Sequence, residues 1–272
     1  MDSASALMDK GTMRILILGG TGEASALARG LLAGPEPVSV TLSLAGRTSQ
    51  PKAEAVPTRI GGFGGAEGLA AWLVRERTDL VIDATHPFAA HIGANAALAC
   101  ARTETRLLAI RRPAWTALAG DRWTNVPDMA AAARALGEDP ARVFLTIGRQ
   151  EVAAFAVAPQ HDYVVRAIEA VELAVPRLTV IRARGPFDAA AEAAFLAERG
   201  IAVLVSKNSG GSATYGKIAA ARTLGLPVIM VARPAKPDVP SVPDVAAALD
   251  WVTRHQTTGR SAHHAAGTLR GV

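Results

Sequence analysis

Short, wholly apolar runs alternate along the chain with longer stretches in which alanine and leucine recur at helical spacing. Such runs read as strands buried on both faces, and the stretches between them as the helices that cover the sheet. Arg14–Leu18 is a strand, Gly22–Leu32 a helix, Val38–Leu44 a strand, Glu67–Arg77 a helix, Leu80–Asp83 a strand, Ala89–Arg102 a helix and Arg106–Ile110 a closing strand. A connecting stretch at Trp115–Asn125 and a helix at Met129–Leu136 lead to a second series, which opens at Val143–Ile147 and ends near Trp251–His255. Strands and helices in alternation form βαβ units, so each series predicts a parallel sheet.

The two series can be laid over each other. Arg14–Gly19 before a helix matches Val143–Gly148 before Arg149–Phe155, and Arg59-Ile-Gly-Gly-Phe63 matches Arg184-Gly-Pro-Phe187 before the helix Ala189–Arg199. The strand Leu80–Asp83 with Ala84-Thr-His-Pro-Phe88 matches Val203–Ser206 with Lys207-Asn-Ser-Gly-Gly211. Leu107–Arg111 with Arg112-Pro113 matches Ile229–Ala232 with Arg233-Pro234. The repeat predicts an α/β protein of two Rossmann- or flavodoxin-like doubly wound parallel-sheet domains facing a cleft, with ligands at the carboxyl ends of the strands. The expected division is an extension or tag at 1–12, a nucleotide-binding domain at 13–125, a second α/β domain at 126–255 and a tail at 256–272.

A length of 272 residues suits two small domains, and a composition half hydrophobic but only 4% aromatic gives them aliphatic cores. No apolar run approaches the roughly 20 residues that cross a bilayer. The lone Cys100 forms no disulfide within the chain and fits a reducing cytoplasm. The net charge of +5 is carried mainly by arginine, which forks onto carboxylate or phosphate, although solvated arginines need no ligand. Nucleic acid is not the expected partner, because the chain lacks a Lys/Arg block, a stacking signature, zinc spacing and a recognition helix. A Gly-x-Ser-x-Gly elbow, Cys/His metal spacing and a Walker lysine are also missing, and no metal is expected. Tyr215 and Lys217 are two positions apart, which removes the Tyr-x-x-x-Lys pair of short-chain dehydrogenases.

The candidate chemistry lies in the loops that follow strands. Gly19, Gly20, Thr21, Gly22 and Glu23 join a buried strand to a helix. Glycines there admit a dinucleotide backbone to free N–H groups at a helix N-terminus, or else serve tight packing of helix on strand. After the second strand stand Arg47 and Thr48, with no carboxylate before Glu54, so NADPH with its 2′-phosphate is preferred to NADH. Thr85 and His86 follow Asp83, where the histidine is placed for proton transfer or for capping the next helix. Lys207, Asn208 and Ser209 form a polar turn suited to a carboxylate or to the nicotinamide end of a cofactor, or to an ordinary cap.

The segments Ile17-Leu-Gly-Gly-Thr-Gly-Glu23, Asp83-Ala-Thr-His-Pro-Phe-Ala89, Ser206-Lys-Asn-Ser-Gly-Gly211 and Val231-Ala-Arg-Pro234 together resemble the precorrin-6A reductase family, over roughly Met13 to His255. The resemblance implies NADPH reduction of one macrocycle double bond of precorrin-6A, giving precorrin-6B in cobalamin biosynthesis, with no covalent protein intermediate. It implies an anionic tetrapyrrole substrate, for whose carboxylate arms Arg111, Arg112, Arg184, Lys207 and Arg233 are the candidate contacts. Three other readings stay open: reduction of the cobalt-containing ring, another NADPH oxidoreductase of an anionic substrate, and a two-domain binding protein that catalyses nothing.

Overall fold

The structure, a computed structural model, describes residues 12–46, 53–183 and 185–267, with side chains as far as residue 256. It contains two parallel sheets of six strands, each in its own compact unit. Unit 1 comprises the chain up to Arg112 together with the part from Ala235 onward; unit 2 is Pro113–Pro234.

The strands of unit 1 are β1 (Met13–Leu18), β2 (Val38–Leu44), β3 (Thr58–Ile60), β4 (Leu80–Asp83), β5 (Arg106–Ile110) and β12 (Ser241–Val242), in the order β3-β2-β1-β4-β5-β12. Ile15 stands between Val40 and Leu80, and Ile17 between Leu42 and Ile82, so one face of the middle of the sheet is aliphatic. Helix α1 (Gly22–Leu32) buries Ala24, Leu27, Ala28 and Leu31, a spacing that keeps one stripe on the sheet. Helices α2 (Gly65–Arg75) and α3 (Ala90–Thr103) share a second core with Leu16, Leu18 and Val81 on the other face.

Unit 2 repeats the pattern with β6 (Arg122–Val126), β7 (Arg142–Thr146), β8 (Asp162–Ala167), β9 (Leu178–Arg182), β10 (Val203–Lys207) and β11 (Pro227–Val231), in the order β9-β8-β7-β10-β11-β6. Its helices are α4 (Met129–Ala135), α5 (Ala189–Glu198) and α6 (Gly216–Thr223). Where Arg149–Phe155 is expected to be helical, a short 3-10 helix spans Val152–Val157.

The sixth strand of each sheet is exchanged. After β5 the chain crosses to give unit 2 its edge strand β6, and after β11 it returns to give unit 1 its edge strand β12. This corrects the expected cut between residues 125 and 126, since both Trp115–Asn125 and the segment from Ala235 onward lie across it. The stretch Trp115–Asn125 is not merely connecting: Arg122–Val126 pairs along the whole of β11. The segment expected to be a tail from residue 256 continues helix α7 (Val245–Gly267), which packs on α1 with Ala248 and Val252 in the core. Among the described residues no helix is long and apolar enough to cross a membrane.

Candidate functional site

In both sheets the strand order reverses between two central strands, β1 and β4 in unit 1 and β7 and β10 in unit 2. Open α/β sheets hold ligands at the carboxyl ends of such a pair. In unit 1 those ends carry the glycine turn Gly19–Glu23 and the loop Asp83–His86.

The glycines have separate tasks. A Cβ on Gly19 would sit 2.6 Å from Leu42 Cδ1, so this residue lets the turn pack on β2. Gly20 has φ +101°, a left-handed conformation that glycine adopts without strain. Among the described residues, a Cβ on Gly20 or Gly22 would meet no atom within 4 Å. The space above the turn is therefore open to a ligand. Thr21 caps α1 by accepting the Ala24 N–H at 3.2 Å, and its hydroxyl donates to the Ala84 carbonyl at 2.7 Å, which joins the two loops. Such a cap is worth about 1 kcal/mol. Glu23, in the first turn, is paired with Arg112, so its charge is compensated beside a helix end that attracts anions.

The second loop is organised by a buried carboxylate. Asp83 is 1% exposed; its Oδ1 accepts from the Thr85 N–H at 3.1 Å and from the Thr85 hydroxyl, and its Oδ2 lies 2.8 Å from Arg111 Nη2 and 3.5 Å from Lys236 Nζ. Burial alone raises the Asp83 carboxyl, but Lys236, Arg111 and the Thr85 hydrogen bonds outweigh it, and the group ionises below its ordinary range. His86 Nδ1 accepts the Phe88 N–H at 3.2 Å, which assigns the proton of the neutral ring to Nε2. Among the described residues Arg111 Nη1 is buried without a hydrogen-bond partner, so one donor of this guanidinium is unspent.

In unit 2 the corresponding strand ends are filled by the protein's own groups. Lys207 Nζ meets Glu151 Oε1 at 2.7 Å, over a turn whose Gly148 would carry a Cβ 2.5 Å from Glu151 Oε2. The Asn208 side chain accepts from the Trp115 N–H at 2.8 Å and donates to the Trp115 carbonyl at 2.9 Å. Arg233 donates to the carbonyls of Asn208 (2.8 Å), Ser209 (3.0 Å) and Pro113 (3.0 Å). Gly210, at φ +67°, lets that guanidinium come close, since a Cβ there would lie 2.3 Å from Arg233 Nη2.

Of the expected site residues, unit 1 brings together Gly19, Gly20, Thr21, Gly22, Glu23, Thr85, His86, Arg111 and Arg112, while Lys207, Asn208, Ser209 and Arg233 gather in unit 2. Arg47, Thr48 and Arg184 lie outside the described residues. Two participants escaped the sequence reading. Glu151 and Lys236 carry no local signature, because each acquires its partner only through the fold, Lys236 across more than half the chain.

Residues 14–253 match the family model described as Precorrin-6x reductase CbiJ/CobK. The chain is 55% identical over 244 residues to a precorrin-6A reductase from a Sinorhizobium species, covering 88% of this chain and 93% of that one. It is 48% identical over 249 residues to a precorrin-6A reductase from Rhodobacter capsulatus, covering 91% and 98%. A solved structure described as CobK precorrin-6A reductase superposes with a TM-score of 0.85 at 48% identity, over 90% of this chain and 97% of that one.

Proposed function

This chain belongs to the precorrin-6x reductase family, and from that membership we propose that it reduces one macrocycle double bond of precorrin-6A with NADPH, giving precorrin-6B for cobalamin biosynthesis. The observation that carries the cofactor half of this reading is the open turn over Gly20 and Gly22 at the end of β1. Bound there, NADPH supplies the hydride. The residues that would hold its pyrophosphate are Gly20, Thr21 and Gly22 at the entry to α1, with Gly19, whose N–H donates to the Ser43 carbonyl at 2.9 Å, fixing the turn on β2, and with Arg112 neutralising Glu23 so that an anion meets no net repulsion. Thr85 flanks the same turn through the bridge from Thr21 to Ala84. Arg47 and Thr48 are the proposed 2′-phosphate contacts.

The protein's own task is positioning. Arg111, with an unspent Nη1, is the best-supported contact for a substrate carboxylate in unit 1, and Lys207 is the proposed contact in unit 2, as carboxylate or cofactor clamp. Arg233 supports the same end of unit 2 by holding the Asn208–Ser209 turn, which is proposed to touch the cofactor. Arg112 and Arg184 complete the proposed substrate set. His86, with its proton on Nε2, is the proposed donor for the ring carbon beside the one that receives hydride. The substrate is proposed to be the metal-free ring, the one in the names of the relatives above, and the reaction to run in the cytoplasm.

Anaerobic incubation of the purified protein with NADPH and precorrin-6A tests this directly. NADPH oxidation with a tetrapyrrole mass gain of two hydrogens supports the reading. Oxidation only with the cobalt-containing ring, or with neither ring, overturns it.

A further inference from the structure

The chain leaves unit 1 after Arg112 and re-enters it at Ala235. Both crossings are tied to one side chain. Arg111, just before the exit, places Nη2 2.8 Å from Asp83 Oδ2. Lys236, just after the re-entry, places Nζ 3.5 Å from the same oxygen and donates to Thr85 Oγ1 at 3.1 Å. Helix α3 makes room for the cluster: a Cβ on Gly93 would stand 3.2 Å from Asp83 Oδ2 and 3.7 Å from Lys236 Cε. A glycine inside a helix is unfavourable and is retained here where a side chain would crowd the ion pair. Asp83 and Lys236 are 1% and 9% exposed, so the pairing is made where a carboxylate is costly to bury unless its partners are held in place.

A strand-end aspartate that only caps its own loop needs the Thr85 bonds and nothing more. We infer that Asp83 is a positioning residue, a clamp that fixes both crossing segments to the cofactor-side loops of unit 1. It acts through Arg111 and Lys236, and through Thr85 and Ala84 the clamp is continuous with Thr21 of the glycine turn.

Hydrogen–deuterium exchange on the full chain without ligand tests the clamp independently of the proposed reaction. In Asp83→Asn, exchange at Arg111–Trp115 and Arg233–Lys236 should rise together, by about tenfold or more, while amides of β1 and β2 stay within about twofold. A rise in one segment alone, in neither, or across the whole sheet of unit 1 overturns the inference. Should that variant fail to fold, Lys236→Met is to loosen Arg233–Lys236 and Lys236→Arg to restore its protection; equal protection in wild type and Lys236→Met overturns the clamp. A kinetic arm rests on the proposed reaction. Turnover of precorrin-6A in Asp83→Asn should fall about tenfold while KM for NADPH moves less than about threefold. Absence of turnover in the wild type would sink the reaction and leave the exchange result standing, whereas an NADPH KM that rises as turnover falls would count against the clamp.

Discussion

The turn after β1 in unit 1 and the turn after β7 in unit 2 occupy the same place in two sheets of the same order, yet they are built for opposite purposes. After β1, Gly20 and Gly22 leave a capped helix end open. After β7, the equivalent space above Gly148 holds the Glu151–Lys207 pair, and a 3-10 helix without a side-chain cap takes the place of α1. Duplicated topology therefore does not duplicate a site: the helix dipole and free N–H groups attract an anion only where the chain has not already placed its own charges there. The same contrast runs through the interiors. Unit 1 buries its charge cluster at the strand ends, around Asp83. Unit 2 encloses the Arg166–Glu192 pair, 9% and 4% exposed, with the guanidinium 4.2 to 4.9 Å from the rings of Phe187, Phe195 and Phe144.

The contrast breaks most sharply where that inner pair is cut. Glu192→Ala leaves Arg166 buried and uncompensated, and denaturant unfolding should show a loss of about 3–5 kcal/mol. An effect under about 1 kcal/mol would mean that unit 2 tolerates a lone interior cation.

Next in size is a matched pair of glycine replacements. Gly22→Val enters open space and should leave the melting temperature nearly unchanged while weakening NADPH binding about 100-fold, or about 2.7 kcal/mol by fluorescence titration. Gly148→Val meets Glu151 instead and should cost about 1–3 kcal/mol of stability, with a loss of NADPH affinity, through the neighbouring Lys207, well below that of Gly22→Val. Identical behaviour of the two variants would erase the distinction between the turns.

Arg47→Ala should lower NADPH affinity about 10-fold to 100-fold, the worth of a charge-assisted hydrogen bond, with NADH affinity unchanged. Equal losses for both nucleotides would remove Arg47 from the 2′-phosphate.

The smallest effect belongs to Lys217, at the start of α6, whose burial pushes its ammonium down to about 8. The folded state then binds fewer protons than the unfolded one between that value and the ordinary lysine range, so stability rises as pH climbs through this window and is lower beneath it. Lys217→Met should flatten the rise, by roughly 1–2 kcal/mol in unfolding free energy measured from pH 7.5 to 10. A wild-type curve flat over that range would show that the ammonium titrates normally.

Much of this molecule could be read from apolar runs. Whereas β2 has a serine or threonine at every second position, the runs Ile15–Leu18 of β1, Leu80–Ile82 of β4 and Val228–Val231 of β11 announce themselves because burial on both faces leaves no polar position to blur them. Edge strands do not. In Arg122-Trp-Thr-Asn-Val126 the pattern is mostly polar, since only Val126 is buried, and Ser241-Val242 is too short to carry a period. The domain boundary was lost with them, because only pairing with β11 and β5 shows to which sheet these residues belong. At the site, the glycine turn was legible as a motif, but the separate duties of Gly19 and Gly22 depend on Leu42, a neighbour in space. Asp83 was visible as an acid ending an apolar strand. Its cationic partners Arg111 and Lys236 come from distant segments, and nothing in their local sequence links them.

The exchanged edge strands also set an order of assembly during translation. A ribosome has delivered every strand of unit 2 once residue 231 is made, whereas unit 1, begun first, waits for residue 242. The last strand of unit 2 is thus made before the last strand of unit 1, although unit 1 is begun first. A gene split once between the two repeats would leave each product holding the edge strand of the other, so neither half is a module that recombination can move alone.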